Sequence, residues 1–320
     1  MQQHTAFVFP GQGSQRLGML SDASDAFPAV RATFEEAADA LGLDLWGLTQ
    51  GDDAERLNLT ENTQPALLCT SVALWRAWDE AGGPRPGAMA GHSLGEFSAL
   101  CCAGAIDFPD ALRLVQQRGR FMQSAVPAGV GAMSAVIGLD DERIIAVCAK
   151  LSSSDHLVEA VNFNSPGQVV IAGHAAAVAD AGEKLLEAGA RRVLPLPVSA
   201  PFHTALMRPA GEKLGEVLES ITLRTPEIPV LHNVTCDSEA DPAAIRRLLV
   251  RQISAPVPWT GCVESLRDRG YTRQVECGAG KVLTGLLRRI DRALTGYSTE
   301  APDDLHAAVA AVSDNEESAQ

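Results

Sequence analysis

The chain has 320 residues, of which 46% are apolar, and its 26 Lys and Arg against 40 Asp and Glu give a formal charge of −14. That length can bury the core of one large domain, or of a large domain carrying a smaller one. So acidic a chain lacks the basic face of a nucleic-acid binder, and no apolar run approaches the roughly 20 residues of a membrane span.

The start, MQQHTAFVFP, shows no basic region followed by an apolar stretch and a cleavage site, so a cytoplasmic protein is expected. Seven cysteines are scattered without CxxC spacing and read as core fillers. Seven histidines are dispersed, with no HExxH, and predict no metal site.

The first strand-like run, Thr5–Phe9, leads into the glycine turn PGQGSQ. It is no phosphate cradle: GxGxxG would need glycine where Arg16 stands, and GK[ST] is absent. The remaining use for such a turn is to present backbone N–H groups to a developing oxyanion, with Gln12 as one donor. Helical patterns follow at Phe27–Leu41 and Pro65–Ala81, and then a second strand, Gly87–Ala90. That strand opens into GHSLG at Gly91–Gly95, which fits GxSxG: Ser93 on a sharp strand-to-helix turn, at the positive end of the next helix. Leu94, after the serine, supplies the second oxyanion donor.

The helix expected at Pro109–Ala125 has an apolar stripe of Ala111, Leu114, Val115, Phe121, Met122 and Ala125. Arg118 falls in the middle of that stripe. A buried guanidinium must find an anion, either a protein carboxylate or a ligand carboxylate, and the structural ion pair is the first reading. From about Ala132 to Leu196 the rhythm becomes strand, helix, strand, a turn at NSPG, strand, helix, strand. That βαββαβ order is the ferredoxin-like motif. Directly after it, in VSAPFHT, stands His203, the candidate base for Ser93. His92, beside the serine, is a lesser candidate, and His4, His156, His174, His232 and His306 read as surface or satisfied core histidines. Helices at Leu206–Leu218 and Lys281–Leu294 and a strand at Arg273–Cys277 complete the pattern.

The expected fold is therefore α/β. A large α/β-hydrolase-like domain with a parallel sheet, residues 1–128 and 198–312, carries an inserted ferredoxin-like subdomain at 129–197, and a disordered acidic tail occupies 313–320.

FVFPGQGSQ, QPAL at Gln64–Leu67, GHSLGE, the Arg118 helix, NFNSPGQVVIAG, the histidine after PVSAP, VRQISAPVPWT and GAGKVLTGL occur in that order. Together they resemble the bacterial malonyl-CoA:acyl carrier protein transacylases of type II fatty acid synthesis, over nearly the whole chain. The resemblance implies Ser93 as acyl nucleophile, His203 as its base, Gln12 and the Leu94 amide as oxyanion hole, and Arg118 as the partner of the malonyl carboxylate. It further implies Gln252 beside the catalytic pair, with backbone of that loop orienting the histidine, and Asn162 and Phe202 lining the pocket. Two departures stand out: Phe202, where many stand-alone members have a smaller residue, and GAGKVL in place of GPGKVL.

The implied substrate is malonyl-CoA and the implied partner an acyl carrier protein bringing its own phosphopantetheine arm. No cofactor, nucleic acid or membrane is expected, and the chain is expected to be a monomer. Because such carriers are acidic, docking is expected on Lys281, Arg288, Arg289 and Arg292, with Arg246, Arg247 and Arg251 as a second cluster. A serine esterase or thioesterase, and a carrier-binding scaffold without catalysis, are the alternatives. The first should show an HGGG-like oxyanion motif and a triad acid, neither of which stands out.

Overall fold

The computed structural model describes residues 2–127, 129–198 and 200–313. The expected tail falls outside them from residue 314 on, whereas Ser313 closes the last helix.

The chain opens with β1 (Gln2–Phe9), α1 (Ser21–Ala26), α2 (Pro28–Leu41), α3 (Leu45–Gln50), α4 (Ala54–Asn58), α5 (Thr60–Glu80), β2 (Pro86–Gly91), α6 (Leu94–Cys102) and α7 (Phe108–Ser124). The middle runs β3 (Gly131–Ile137), α8 (Asp141–Leu151), β4 (Val158–Ser165), β5 (Gln168–His174), α9 (Ala175–Glu187) and β6 (Arg192–Pro195). After a 3₁₀ turn at Ala205–Met207 come α10 (Arg208–Glu219), β7 (Val230–His232), β8 (Asp237–Ser238), α11 (Pro242–Gln252) and α12 (Trp259–Asp268). The last elements are β9 (Arg273–Glu276), α13 (Val282–Ile290), β10 (Thr295–Ser298) and α14 (Pro302–Ser313).

Two sheets result. The larger has the order β10-β9-β1-β2-β7-β8, parallel except at the β7–β8 edge, and the smaller is antiparallel with the order β4-β5-β3-β6. β1 explains its own sequence. Phe7 and Phe9 pack into one core, Phe7 edge-on against Trp75 and Trp78, while Ala6 and Val8 pack into a second core with Trp259, Leu283 and Leu287. A strand buried on both faces reads as a continuous apolar run. The smaller sheet has a third core, built on Val136, Ile144, Val169, Ile171 and Leu185.

Three expectations are corrected. α5 begins at Thr60 rather than Pro65, so the proline lies inside the helix and removes one hydrogen bond, to the Glu61 carbonyl. The helix expected over Lys281–Leu294 ends at Ile290, where Asp291 leaves helical geometry at φ −148° and its carboxylate accepts the Ala293 N–H; residues 295–298 then form an edge strand. The short strands β7 and β8 and the helices α11 and α12 were not foreseen at all. No helix among the described residues is long and apolar enough to cross a membrane.

What positions the site is the end of the larger sheet where the parallel strands finish. Phe9 and Gly91 are partners in register there, so the two glycine turns leave the sheet side by side.

Candidate active site

The two turns interlock, and the glycines stand where they touch. A Cβ on Gly95 would lie 2.0 Å from the Phe9 carbonyl oxygen, and one on Gly11 would lie 2.5 Å from that of His92. Within the second turn, a Cβ on Gly91 would meet the Gly95 carbonyl carbon at 1.9 Å. Ser93, held between them, has φ 51° and ψ −103°, a sparsely populated conformation for a side-chain-bearing residue. Asn233, just after β7, pins it: Oδ1 accepts the Ser93 N–H at 2.9 Å and Nδ2 donates to the Gly91 carbonyl at 2.7 Å.

His203 approaches from the loop after the smaller sheet, with its Nε2 2.7 Å from Ser93 Oγ. Its Nδ1 lies 3.0 Å from the Gln252 carbonyl oxygen. A carbonyl only accepts, so Nδ1 carries the proton and the Nε2 lone pair faces the hydroxyl. Burial first, and then the positive charge of Arg118, push the imidazole down to about 3, against the opposing pull of the Gln252 carbonyl. The ring is neutral at pH 7, as a base must be.

Arg118 is 2% exposed, on the inward face of α7. Its guanidinium donates to Gln64 Oε1 at 2.9 Å, to Gln252 Oε1 at 2.9 Å and to Ser93 Oγ at 3.1 Å, and its Nε has no partner among the described residues. It also lies 5.1 Å from the Phe97 ring centroid. Among the described residues no carboxylate pairs with it, so the structural ion pair is not formed. Burial pushes this guanidinium down to about 9, with the carboxylate of Glu96 acting in the other direction.

The other expected residues divide. Leu94 opens α6, where the first amides of a helix have no intrahelical acceptor. Gln12 follows Gly11 on the facing turn, its side chain 3.5 Å from Thr60 Oγ1. Gln252 is fully buried and touches Ser93, Arg118 and His203. Asn162 is 7% exposed and forms a parallel bridge with Val257; two residues on, Asn164 Oδ1 lies 2.8 Å from His92 Nε2, beside the serine turn. Phe202 packs into the large core.

The basic residues have different partners. Lys281 precedes α13 and pairs with Asp304 at 2.7 Å; Arg289 donates to Gln168 at 2.6 Å. Arg288 and Arg292 line an open cavity of about 410 Å³ with Leu294, Thr295 and Gly296. Thr295 pairs with Arg273, so this cavity lies where the parallel strands begin, at the opposite end of the sheet from Ser93. Arg246 is occupied by the carbonyls of Leu218 and Ile221, and Arg247 and Arg251 share a cavity with Asp237 and Glu239.

Sequence reasoning missed Gln64, Glu96, Asn164, His232 and Asn233. Gln64 and Glu96 sit inside motifs already singled out, QPAL and GHSLGE, where a polar residue on an apolar helix face was the available signal. His232 and Asn233 had none, since a three-residue strand carries no periodicity.

Comparison with known proteins agrees with this arrangement. The model of the acyl transferase domain family matches residues 6–300. The malonyl CoA-acyl carrier protein transacylase of Salmonella typhimurium is 56% identical over 304 residues, 95% of this chain and 98% of that protein. An acyl carrier protein S-malonyltransferase from Vibrio cholerae superposes with a TM-score of 0.93 at 51% identity, over 95% of this chain and 99% of that one. A malonyl-transacylase solved in complex with its type II PKS acyl-carrier protein superposes with a TM-score of 0.94 at 52% identity, over 96% and 99%. Similarity of that extent, with the serine turn and its histidine in place, makes this chain a member of the acyl transferase family, on the branch of the malonyl CoA-acyl carrier protein transacylases.

Proposed function

We propose that the chain transfers malonyl groups from coenzyme A to the phosphopantetheine thiol of an acyl carrier protein, supplying fatty acid synthesis, through a malonyl ester on Ser93. The observation that carries this reading is Arg118, a buried guanidinium touching the nucleophile with no carboxylate among the described residues against it. Such a fork holds a substrate carboxylate bidentately and disfavours acyl groups that would leave its charge unpaired.

In the first half-reaction Ser93 Oγ attacks the thioester carbon while its proton passes to His203 Nε2, and the oxyanion is held by the Leu94 and Gln12 amides. The C–S bond then breaks, and the thiolate of coenzyme A takes the proton from His203. The carrier thiol repeats these steps in reverse, giving ping-pong kinetics. Exchange of one thioester for another moves no electrons, so no redox cofactor enters, and the proposal includes no metal. The carbonyl of Gln252 takes the orienting place that an acid holds in a hydrolase triad, which favours the transferase over the esterase reading.

The finer architecture is part of the proposal. The βαββαβ order and the strand order β4-β5-β3-β6 support a ferredoxin-like subdomain at 129–197. The serine turn between β2 and α6 supports a hydrolase-like large domain over 1–128 and 198–312. Ser93, His203, Arg118 and Gln252 come from one chain, which fits a monomer, and a fatty acid synthesis enzyme fits the cytoplasm.

The test is intact mass after incubation with malonyl-CoA. The wild type gains one malonyl group that persists until carrier protein is added, and Ser93→Ala gains none. Rapid loss of the group to water would make the protein a hydrolase, and a malonyl group on the alanine variant would move the nucleophile elsewhere.

A further inference from the structure

Beneath Ser93 lies a second carboxylate environment that the transfer chemistry does not use. Glu96, in the first turn of α6, is fully buried, and both its oxygens accept: Oε1 from His232 Nδ1 at 2.7 Å, Oε2 from the Asn233 N–H at 3.0 Å and from Gln252 Nε2 at 2.8 Å. The same Gln252 Nε2 donates to the Ser93 carbonyl at 2.9 Å. His232 Nδ1 donates to the carboxylate, and its other ring nitrogen, Nε2, is buried without a partner among the described residues.

A carboxylate and a carbonyl only accept, so the Gln252 amide has one tolerable orientation: NH₂ toward Glu96 and Ser93, oxygen toward Arg118. Reversed, it would set oxygen against the Glu96 oxygen and the Ser93 carbonyl, and NH₂ against the guanidinium.

We propose that Glu96 is a positioning residue for malonyl selectivity, fixing the polarity of the Gln252 amide so that Arg118 is held by two amide oxygens and the Ser93 hydroxyl, with no carboxylate among the described residues against it. The anion that balances the buried arginine is thereby kept one amide away. Arg118 is held between Gln64 and Gln252 without being neutralised by contact, and the first carboxylate to touch it is the substrate's. A directly paired arginine would have to give up its partner to bind malonyl.

This inference rests on the reading of Arg118 as the malonyl partner, and the experiment separates the two. Glu96→Gln replaces an obligate acceptor by an amide that can turn either way, leaving only the Ser93 carbonyl and the guanidinium to hold Gln252 and so loosening it. Rates with malonyl-CoA and acetyl-CoA are measured together with Tm. The expected result is a fall in malonyl kcat/KM of about tenfold or more, carried mainly by KM, with acetyl transfer changed far less, the size expected for mispositioned hydrogen bonds to a charge. Glu96→Asp, which keeps the acceptor but draws it back, should recover part of the ratio, and it carries the test if Glu96→Gln does not fold. An unchanged malonyl-to-acetyl ratio in the variant that folds, or equal loss of both activities, overturns the proposal. Arg118→Ala is run in parallel: if it collapses the ratio and the Glu96 variants do not, only this inference fails, whereas a preserved ratio in Arg118→Ala removes the reading beneath it.

Discussion

Arg118 touches no carboxylate among the described residues, so its removal falls more on catalysis than on folding, at the cost of leaving Glu96 unbalanced and the Gln64 and Gln252 oxygens without this donor. Arg118→Ala should lower Tm modestly, lose most malonyl transfer and close the gap between malonyl- and acetyl-CoA. Arg118→Lys should recover only part, since a point charge cannot reproduce the fork. Thermal melting and the ratio of the two kcat/KM values check this, and a large drop in Tm with the ratio preserved would contradict it. The histidines give a second test. Burial lowers both His203, to about 3, and His92, from the ordinary 6.5. Below pH 6.5 the unfolded chain takes up protons that the folded chain refuses, so stability is greatest above that value and falls as the pH drops toward 3. The slope contributed by each ring is at most about 1.4 kcal/mol per pH unit. Denaturant unfolding between pH 7 and 4 should show it, and His203→Gln should flatten it.

At the scale of the elements, the contacts of each glycine decide what a methyl group does. Gly95→Ala puts a carbon against the Phe9 carbonyl, which is backbone and cannot step aside. It should cost about 1–3 kcal/mol, as overpacking does, and abolish acyl-enzyme formation. Gly285 in α13 has nothing within 4 Å of its Cβ position, so Gly285→Ala should stabilise by about 0.4–1 kcal/mol with activity intact. Urea midpoints and intact-mass labelling distinguish the two. The same contrast governs what could be read in advance. β1, β2 and the middle segment were legible because apolar runs there end at glycines or at NSPG, where periodicity and turn chemistry agree. Ser93 and His203 were legible because each stands at such a junction. His232 and Asn233 were not: their place beneath the serine is set by the pairing of a three-residue strand with β2, a contact between residues some 140 apart that leaves no local trace.

For the whole molecule, a charge of −14 opposes the approach of an acidic carrier, so a local basic patch must outweigh it. Arg288 and Arg292 stand at the end of the sheet opposite Ser93, so Arg288→Glu combined with Arg292→Glu should leave both half-reactions unchanged, and the carrier docks nearer the serine. Stopped-flow measurement of the two half-reactions checks this, and a slowed, less salt-dependent carrier step would return docking to this face.

The segment after α11 joins the two sheets. The Val257 N–H donates to the Val161 carbonyl at 2.7 Å and the Phe163 N–H to the Val257 carbonyl at 3.0 Å. Val257 follows Gln252 by five residues, so the smaller sheet is tied to the segment whose backbone orients His203. The smaller sheet therefore cannot swing away from that segment without breaking these two bonds and disturbing the carbonyl that holds the histidine. Hydrogen exchange should accordingly find the Val257 and Phe163 amides opening together with β4, and no faster when malonyl-CoA is bound.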